Sequence, residues 1–226
     1  MADRYSPTIH DLGGWGGWPE YSDPGAFEAE LERQADIFRQ LGFHTHENVH
    51  KSAGKLKDVI MKAGAELQQI QHWRFDIPIV GFGQIPVSDQ RELIGEVYDD
   101  TGSGVLISDW SKDPQKYKTP ETTYLTWVMD GGLCVGRTVE FVREILLTRS
   151  HERRGATIHD GMGLLAVHPE IFVNFHSVDL PGSEVGPDKA ALIYAFDDFS
   201  INARAIDAAD QDSGSASCVR QMILIP

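Results

Sequence analysis

The sequence predicts an α+β fold, in which a mixed or antiparallel sheet is flanked by helices. Apolar residues recur at helical spacing in some segments and alternate as in strands in others. The two kinds of segment follow one another in blocks rather than as regular βα units. The chain of 226 residues is long enough to bury a hydrophobic core. We expect one domain over residues 23–226, preceded by an N-terminal arm over residues 1–22.

The N-terminal arm is rich in glycine and aromatic residues. Glycine disfavours a helix there, and Trp15, Trp18 and Tyr21 are too apolar to remain in water. We therefore expect the arm to pack on its own domain or on a second subunit of a homodimer. The alternative is an arm that forms a flap over a pocket. Trp15 and Trp18 would then contact the ligand, so both are candidate ligand contacts.

Two helices are expected at the start of the domain. In the first, Asp23-Pro24 places a proline at the first helical position, and Gly42 ends the helix. The second covers residues 56–67, where apolar residues recur at helical spacing. Its start is open, because Asn48 and Ser52 can both serve as its cap.

The polar segment between these helices contains His46, Glu47 and His50 at the spacing of a zinc-protease motif. In that motif two histidines bind zinc and the glutamate activates water. His44 is a further ligand candidate. The setting differs, because Gly42 has just ended a helix whereas the motif lies within one. No cofactor is therefore predicted, and zinc or another divalent metal at these residues is the alternative to a solvated loop.

Strand patterns begin in the middle of the chain. Pro78 lies in the first of them and removes a hydrogen-bond donor, so this strand is expected at an edge or a bulge. The apolar run at residues 190–196 suits a central strand. Residues 111–121, 179–183 and 207–216 have the composition of loops and turns. The predicted strands cover residues 75–80, 104–108, 124–129, 172–178, 190–196 and 218–225.

Two carboxylates stand at predicted strand ends, where sites are commonly built. Asp109 precedes Trp110 at the start of the loop, and Asp130 follows the strand at residues 124–129. If the two carboxylates converge, one can act as a general acid and the other as a general base. The alternative is that both lie at the surface. Trp110 is a candidate ligand contact.

Two helices joined by a charged bend are predicted in the third quarter of the chain. Thr157 and Asp160 form a capping box for the second helix, in which the hydroxyl accepts one amide hydrogen bond and the carboxylate accepts another. The bend at residues 150–155 offers Arg153 and Arg154 to an anionic ligand. The alternative is a solvated turn.

The residues from Arg153 to Gly161, with Thr157 and Asp160 at fixed spacing, resemble a bacterial family known only as a domain of unknown function. The family has an arginine, a capping threonine and an acidic residue before glycine in the same order. The likeness covers most of the chain, including residues 27–42, 124–132 and 214–218.

The chain also departs from that family's pattern. Gly155 stands where the family has a proline, and His159 replaces an acidic residue. A tryptophan-rich stretch near the C-terminus is absent. The resemblance therefore implies a fold, and it implies no mechanism.

Composition limits the partners. The formal net charge of −14 makes a surface that repels phosphate backbones and anionic lipids, so neither nucleic acid nor a membrane is expected as a partner. The first residues do not form the pattern of a signal peptide. Cys134 and Cys218 are too few for a disulfide framework, so a reducing cytoplasm is expected.

Three functions remain open at this point. The first is a cytosolic enzyme that acts on a small molecule by acid and base chemistry, with four candidate catalytic residues and with Arg154 as a ligand contact. The second is a binding or assembly protein that uses its aromatic arm on a protein partner. The third is a metal protein. The candidate catalytic residues are Asp109, Asp130, Arg153 and His159.

Overall fold

A computed structural model of the chain describes residues 21, 23–49, 56–72, 76–95, 97–102, 107–110, 118–130, 134–148 and 152–225. These residues form six α-helices and eleven β-strands, and the predicted α+β class is confirmed. The helices are α1 (Pro24–Gln40), α2 (Leu56–Leu67), α3 (Val87–Ile94), α4 (Val139–Thr148), α5 (Ile158–Val167) and α6 (Pro169–Phe175). The strands are β1 (Ile77–Phe82), β2 (Val97–Asp99), β3 (Ile107–Asp109), β4 (Thr123–Met129), β5 (Arg153–Gly155), β6 (Ser177–Val185), β7 (Lys189–Ala195), β8 (Phe199–Ala205), β9 (Ser213–Ser215), β10 (Ser217–Val219) and β11 (Ile223–Ile225).

The first sheet, which we call sheet A, is antiparallel and is built around β4. Strand β1 pairs with the whole length of β4 on one side, while β11 and β10 pair with its two ends on the other. Strand β5 pairs with β10 and completes the sheet. Strand β1 therefore lies at an edge, as Pro78 predicts.

The second sheet, sheet B, is mixed. Its order is β2, β8, β7, β6 and β3, and β9 also pairs with β6. The pairs of β2 with β8 and of β9 with β6 are parallel, and the other pairs are antiparallel. The apolar strand β7 lies between β6 and β8, so its predicted central position is confirmed.

One segment, residues 213–219, belongs to both sheets. It pairs with β6 in sheet B as β9, passes through Ala216, and pairs with β4 and β5 in sheet A as β10. Beside this crossing, a Cβ on Gly182 would lie 2.5 Å from the carbonyl oxygen of Gly155. The Gly182 amide also donates to the Ala156 carbonyl at 2.9 Å. The sheets are therefore joined through their main chains as well as through side chains.

Helix α5 lies between the two sheets and is buried along nearly all of its length. Gly161 faces sheet B, where a Cβ would come within 2.7 Å of the Leu180 side chain. Gly163 faces β1, where a Cβ would lie 2.6 Å from the carbonyl oxygen of Val80. Because these two positions have no side chain, α5 can pack closely against both sheets. Its first turn therefore lies at the junction between the sheets.

Helix α1 covers the free edge of β1 through a single side chain. The Gln34 amide nitrogen donates to the Pro78 carbonyl at 2.6 Å, and its oxygen accepts from the Val80 amide at 3.2 Å. Gln34 is fully buried. Its side chain therefore takes the place of the neighbouring peptide that an edge strand lacks.

Replacing Gln34 by leucine is expected to lower the free energy of unfolding by about 2–3 kcal/mol, because a buried carbonyl and a buried amide both lose their partner. Urea denaturation measures this change. Gln40→Leu, at the exposed end of the same helix, is the matched control and is expected to change stability by no more than about 0.5 kcal/mol. Equal stability of the two variants would contradict the bridging role of Gln34.

Helix α6 and strand β6 replace the strand predicted at residues 172–178 and the turn predicted at residues 179–183, so both predictions are wrong. Pro169 begins a new helix, in the first-turn position that proline favours. Strand β6 continues through Pro181-Gly182 because its register with β7 shifts there, as in a bulge.

Other differences concern short elements. The bend predicted at residues 150–155 contains β5, and the loop predicted at residues 207–216 contains β9. The single strand predicted at residues 218–225 is two strands, β10 and β11. Helix α3 and strands β2 and β8 are absent from the sequence prediction. Strands β1, β4 and β7 agree with it in position.

The predicted helix starts are confirmed. The Asp23 carboxylate accepts from the Ala26 amide at 2.8 Å and caps α1, with proline in the first turn. Thr157 and Asp160 form both hydrogen bonds of the capping box that begins α5. These signals are local, which is why the sequence alone reveals them.

The predicted N-terminal arm lies outside the described residues except for Tyr21, and Trp15 and Trp18 are among those outside. Tyr21 is buried in the hydrophobic core. In the described parts of the chain, the helices are too short or too polar to cross a lipid bilayer.

Candidate functional site

The first turn of α5 brings His159 to a junction of several elements. Its neighbours in that turn, Ile158 and Asp160, are buried, whereas His159 is partly exposed. The ring contacts Gln90 of α3, and the charge of Asp109, at the end of β3, acts on it. The structure thus brings together two of the predicted catalytic residues, Asp109 and His159.

Gln90 holds the His159 ring in position. The Gln90 amide nitrogen lies 2.9 Å from the Phe82 carbonyl, 2.8 Å from the Ile85 carbonyl and 2.7 Å from Nδ1 of His159. The two carbonyls can only accept, so the nitrogen of the amide, rather than its oxygen, must face them. The His159 ring is thus fixed beside the end of β1.

The pKa of His159 is lowered from its ordinary value of 6.5, chiefly because burial disfavours the charged ring. The charges of Asp160 and Asp109 and a hydrogen bond to the Phe82 carbonyl oppose this effect without outweighing it. His159 is therefore neutral at neutral pH.

The carboxylate of Asp109 is held in place by Thr119. One oxygen accepts from the Thr119 amide at 2.6 Å, and the other accepts from the Thr119 hydroxyl at 2.7 Å. The methyl group of Thr119 would lie 2.8 Å from a Cβ on Gly83, so this loop packs directly on the residue after β1. The His159 ring on α5 and a fixed acceptor on β3 therefore flank the end of β1.

Trp110 anchors the end of β3. The ring is buried, and the Arg143 guanidinium stacks over it at 4.5 Å from its centroid. Arg143 also donates to the carbonyls of Pro181 and Ser183 at 2.8 and 3.0 Å. The Trp110 amide donates to the Gly182 carbonyl at 2.8 Å. These contacts hold Trp110 in place next to Asp109.

The other two predicted catalytic residues lie at the opposite end of sheet A. Arg153 is buried and makes two hydrogen bonds, of 2.8 and 3.0 Å, to the Asp76 carboxylate. It also donates to the carbonyl of Ser217, which pairs with the residue before Asp130. Asp76 precedes β1 and Phe82 ends it, so these residues lie about 20 Å from the His159 end.

Arg154, a predicted ligand contact, is also fully buried. It donates to both oxygens of the Asp160 carboxylate, at 2.6 and 2.9 Å, and the Tyr124 hydroxyl donates to the same carboxylate at 2.8 Å. The charged bend predicted from the sequence thus carries its two guanidinium groups inward, and each is matched by a buried carboxylate. The solvated-turn alternative is wrong for Arg153 and Arg154.

The zinc-protease spacing falls in an irregular segment after α1. Nε2 of His46 lies 3.1 Å from the Asp89 carboxylate, and Nδ1 accepts from the Asn48 amide at 3.2 Å. Glu47 is exposed. His50 lies outside the described residues. Among the residues that are described, no three histidine, cysteine or acidic side chains are grouped as metal ligands.

Asp179 of β6 is the centre of a second polar cluster. The sequence does not indicate this cluster, because residues 179–183 have the composition of a turn. One carboxylate oxygen is 3.2 Å from the Ser213 hydroxyl and 3.3 Å from the Arg204 guanidinium. Burial raises its pKa to about 6, against the opposing effects of Arg204 and Ser213. The other oxygen has no partner among the described residues, and the side chain is only 1% exposed. The Asp179 carboxylate is thus closed to solvent, unlike His159.

Gln90 and Thr119 are site residues that the sequence analysis does not identify. Neither belongs to a motif, and amide and hydroxyl side chains are common at surfaces. The structure, and not the sequence, distinguishes Gln90, which is the one buried residue of α3. A buried amide of this kind indicates a hydrogen-bonding role.

Comparison of the chain with protein-family models, curated proteins and solved structures finds no match. The resemblance to a bacterial family of unknown function therefore stays a prediction. The function must be inferred from the chain's own geometry.

Proposed function

We propose that this protein is an enzyme that acts on a small molecule by acid and base chemistry, with His159 and Asp109 as the acid and base groups. The proposal rests on the His159 ring, which Gln90 contacts at 2.7 Å, whose pKa is lowered by burial and on which the charge of Asp109 acts. A neutral histidine near a carboxylate offers a hydrogen-bonding group and a proton acceptor at neutral pH.

Each residue has a definite role in this proposal. The ring of His159 contacts an oxygen or nitrogen of the substrate in its neutral form and keeps its own proton. The carboxylate of Asp109 accepts a proton from a neighbouring atom. Gln90 and Thr119 are positioning residues, because they hold the two groups and do not themselves exchange protons. Reactions that move a proton between two atoms of one substrate fit this pair.

Activity is expected to persist below pH 6.5 and to fall only as the pH passes through the lowered pKa of His159. Below that pKa the ring carries a positive charge in a buried position and no longer acts as a neutral hydrogen-bonding group. A pH profile of the reaction rate measures the midpoint, and a midpoint above 6.5 would contradict the burial of a neutral ring.

The substitutions His159→Gln and Asp109→Asn test the pair. Each purified protein is incubated with a mixture of cellular metabolites, and mass spectrometry then identifies the compounds that are consumed. We expect a conversion by the wild type that falls about 100-fold or more in each variant, the size of effect typical for loss of a general acid or base. Circular dichroism confirms that the variants fold.

The chain offers matched controls. His176 and Asp188 are exposed and have positive backbone φ angles of 55° and 58°, which asparagine tolerates. His176→Asn and Asp188→Asn are therefore expected to keep the conversion. A conversion that survives His159→Gln and Asp109→Asn, or the absence of any conversion by the wild type, would contradict the proposed function.

A further inference from the structure

A cleft of about 460 Å³ opens beside the outer end of sheet A, away from the residues of the His159 site. It lies where the turn after α2 meets the turn between β10 and β11. Its volume is within the range of small-molecule sites. The lining residues are Ile70, Gln71, Glu152, Val219, Arg220 and Gln221.

The floor of the cleft is apolar. Ile70 and Val219 are 7% and 4% exposed, and both belong to the hydrophobic core. The rim is polar and is formed by exposed side chains, two of which carry amides, Gln71 and Gln221. An apolar floor with a few polar groups around it is the usual pattern of a small-molecule site.

Two opposite charges stand next to each other on this rim. The Arg220 amide donates to the Glu152 carbonyl and so extends the ladder beyond the pair of Val219 with Arg153. Residues directly opposite in an antiparallel ladder have Cβ atoms about 5 Å apart and point to the same face. Arg220 and Glu152 are therefore close to each other, and both line the cleft.

Within the described part of the chain, the side chains of Arg220 and Glu152 form no ion pair with each other or with another residue. By contrast, Arg153 pairs with Asp76 and Arg204 pairs with Asp179. Among the described residues, none takes up the guanidinium of Arg220 or the carboxylate of Glu152.

We propose that this cleft binds a small zwitterion, namely a free α-amino acid with an aliphatic side chain. The Arg220 guanidinium pairs with its carboxylate through two parallel hydrogen bonds. The Glu152 carboxylate accepts hydrogen bonds from its ammonium group, and the aliphatic side chain packs on Ile70 and Val219. The site shares no residue with the proposed catalytic pair, so it does not depend on that proposal.

The arrangement of charges excludes simpler ligands. A simple anion such as phosphate is repelled by Glu152 and by the net charge of −14. A simple amine is repelled by Arg220. Only a molecule that carries both charges a few ångströms apart satisfies both side chains, and a free amino acid is the smallest molecule of that kind.

Isothermal titration calorimetry of the full chain with L-leucine tests the proposal. Isocaproate, which lacks the ammonium group, and isoamylamine, which lacks the carboxylate, serve as matched ligands. We expect leucine to bind and each analogue to bind at least about tenfold more weakly, since each loses one charge-assisted contact. Equal affinity for leucine and either analogue would overturn the proposal of a zwitterion site.

Substitution at the rim identifies the site of binding. Arg220→Gln and Glu152→Gln are each expected to weaken leucine binding about tenfold or more. Arg39→Gln and Glu28→Gln, at exposed positions of α1, are the controls and are expected to leave the affinity unchanged. The absence of binding at millimolar leucine, or binding that both rim substitutions leave intact, would overturn the proposal.

Discussion

Replacing Asp160 by asparagine is expected to lower the free energy of unfolding by about 3–5 kcal/mol, the usual cost of breaking a buried ion pair. The Asp160 carboxylate is fully buried and accepts from Arg154 at 2.6 and 2.9 Å, from the Thr157 amide at 2.7 Å and from the Tyr124 hydroxyl at 2.8 Å. The substitution leaves the guanidinium of Arg154 buried without a counter-charge.

Urea denaturation at neutral pH measures this loss. Asp36→Asn is the control, because Asp36 is about half exposed, pairs with Arg39 at 3.0 Å, and is expected to contribute less than about 1 kcal/mol. If the two variants lost similar amounts of stability, Arg154 would have to find water or another partner in the interior.

The same variant has an expected pH dependence. Burial raises the pKa of Asp160, but Arg154 and the hydrogen bonds from Thr157 and Tyr124 outweigh burial and lower it to about 2. Because the folded pKa lies below the ordinary value of 3.8, the stabilisation is fully present above that value and is lost as the pH falls through about 2. The difference between wild type and Asp160→Asn should therefore shrink over that interval.

Gly182→Ala is expected to cost about 3 kcal/mol or more of unfolding free energy. The new Cβ would lie 2.5 Å from the Gly155 carbonyl oxygen and 2.9 Å from that of Ala156. Both are main-chain atoms, so no side chain can rotate away to relieve the contact. The sheets must move apart at their junction, which also strains the hydrogen bond from Gly182 to Ala156.

Gly186→Ala, just after β6, provides the comparison. A Cβ there would meet no atom within 4 Å, and its φ of +71° alone makes alanine unfavourable. The expected loss is about 1 kcal/mol. Thermal or urea unfolding of the two variants measures the difference. A loss at Gly182 no larger than that at Gly186 would mean that the junction tolerates separation of the sheets.

The sequence predicts those features that depend on neighbouring residues. The capping box of Thr157 and Asp160 and the helix start at Asp23 involve groups a few residues apart. Pro78 indicates an edge strand because proline itself lacks the amide that would donate a hydrogen bond to a neighbouring strand. In contrast, Pro181-Gly182 has the composition of a turn, and it is held in strand β6 by contacts with distant residues, namely Ala156, Arg143 and Trp110.

The candidate site illustrates the same limit. Asp109 and His159 can be chosen as polar groups near element ends, but their proximity depends on how β3 and α5 pack. The Arg153 partner, Asp76, is 77 residues away in the chain, so a charged bend gives no sign that its guanidinium groups point inward. Gln90 is invisible for the same reason, since its three partners belong to the end of β1, the turn after it and α5.

The shared segment at residues 213–219 also sets the order in which the chain can fold. Among the described strands, β5 pairs only with β10. The Arg153 side chain and its hydrogen-bond partner Ser217 are 64 residues apart in the chain. During synthesis, β5 therefore has no neighbour until nearly all of sheet B has emerged from the ribosome. Contacts this distant in sequence slow folding. Sheet A is thus completed last, although its first two strands are made early.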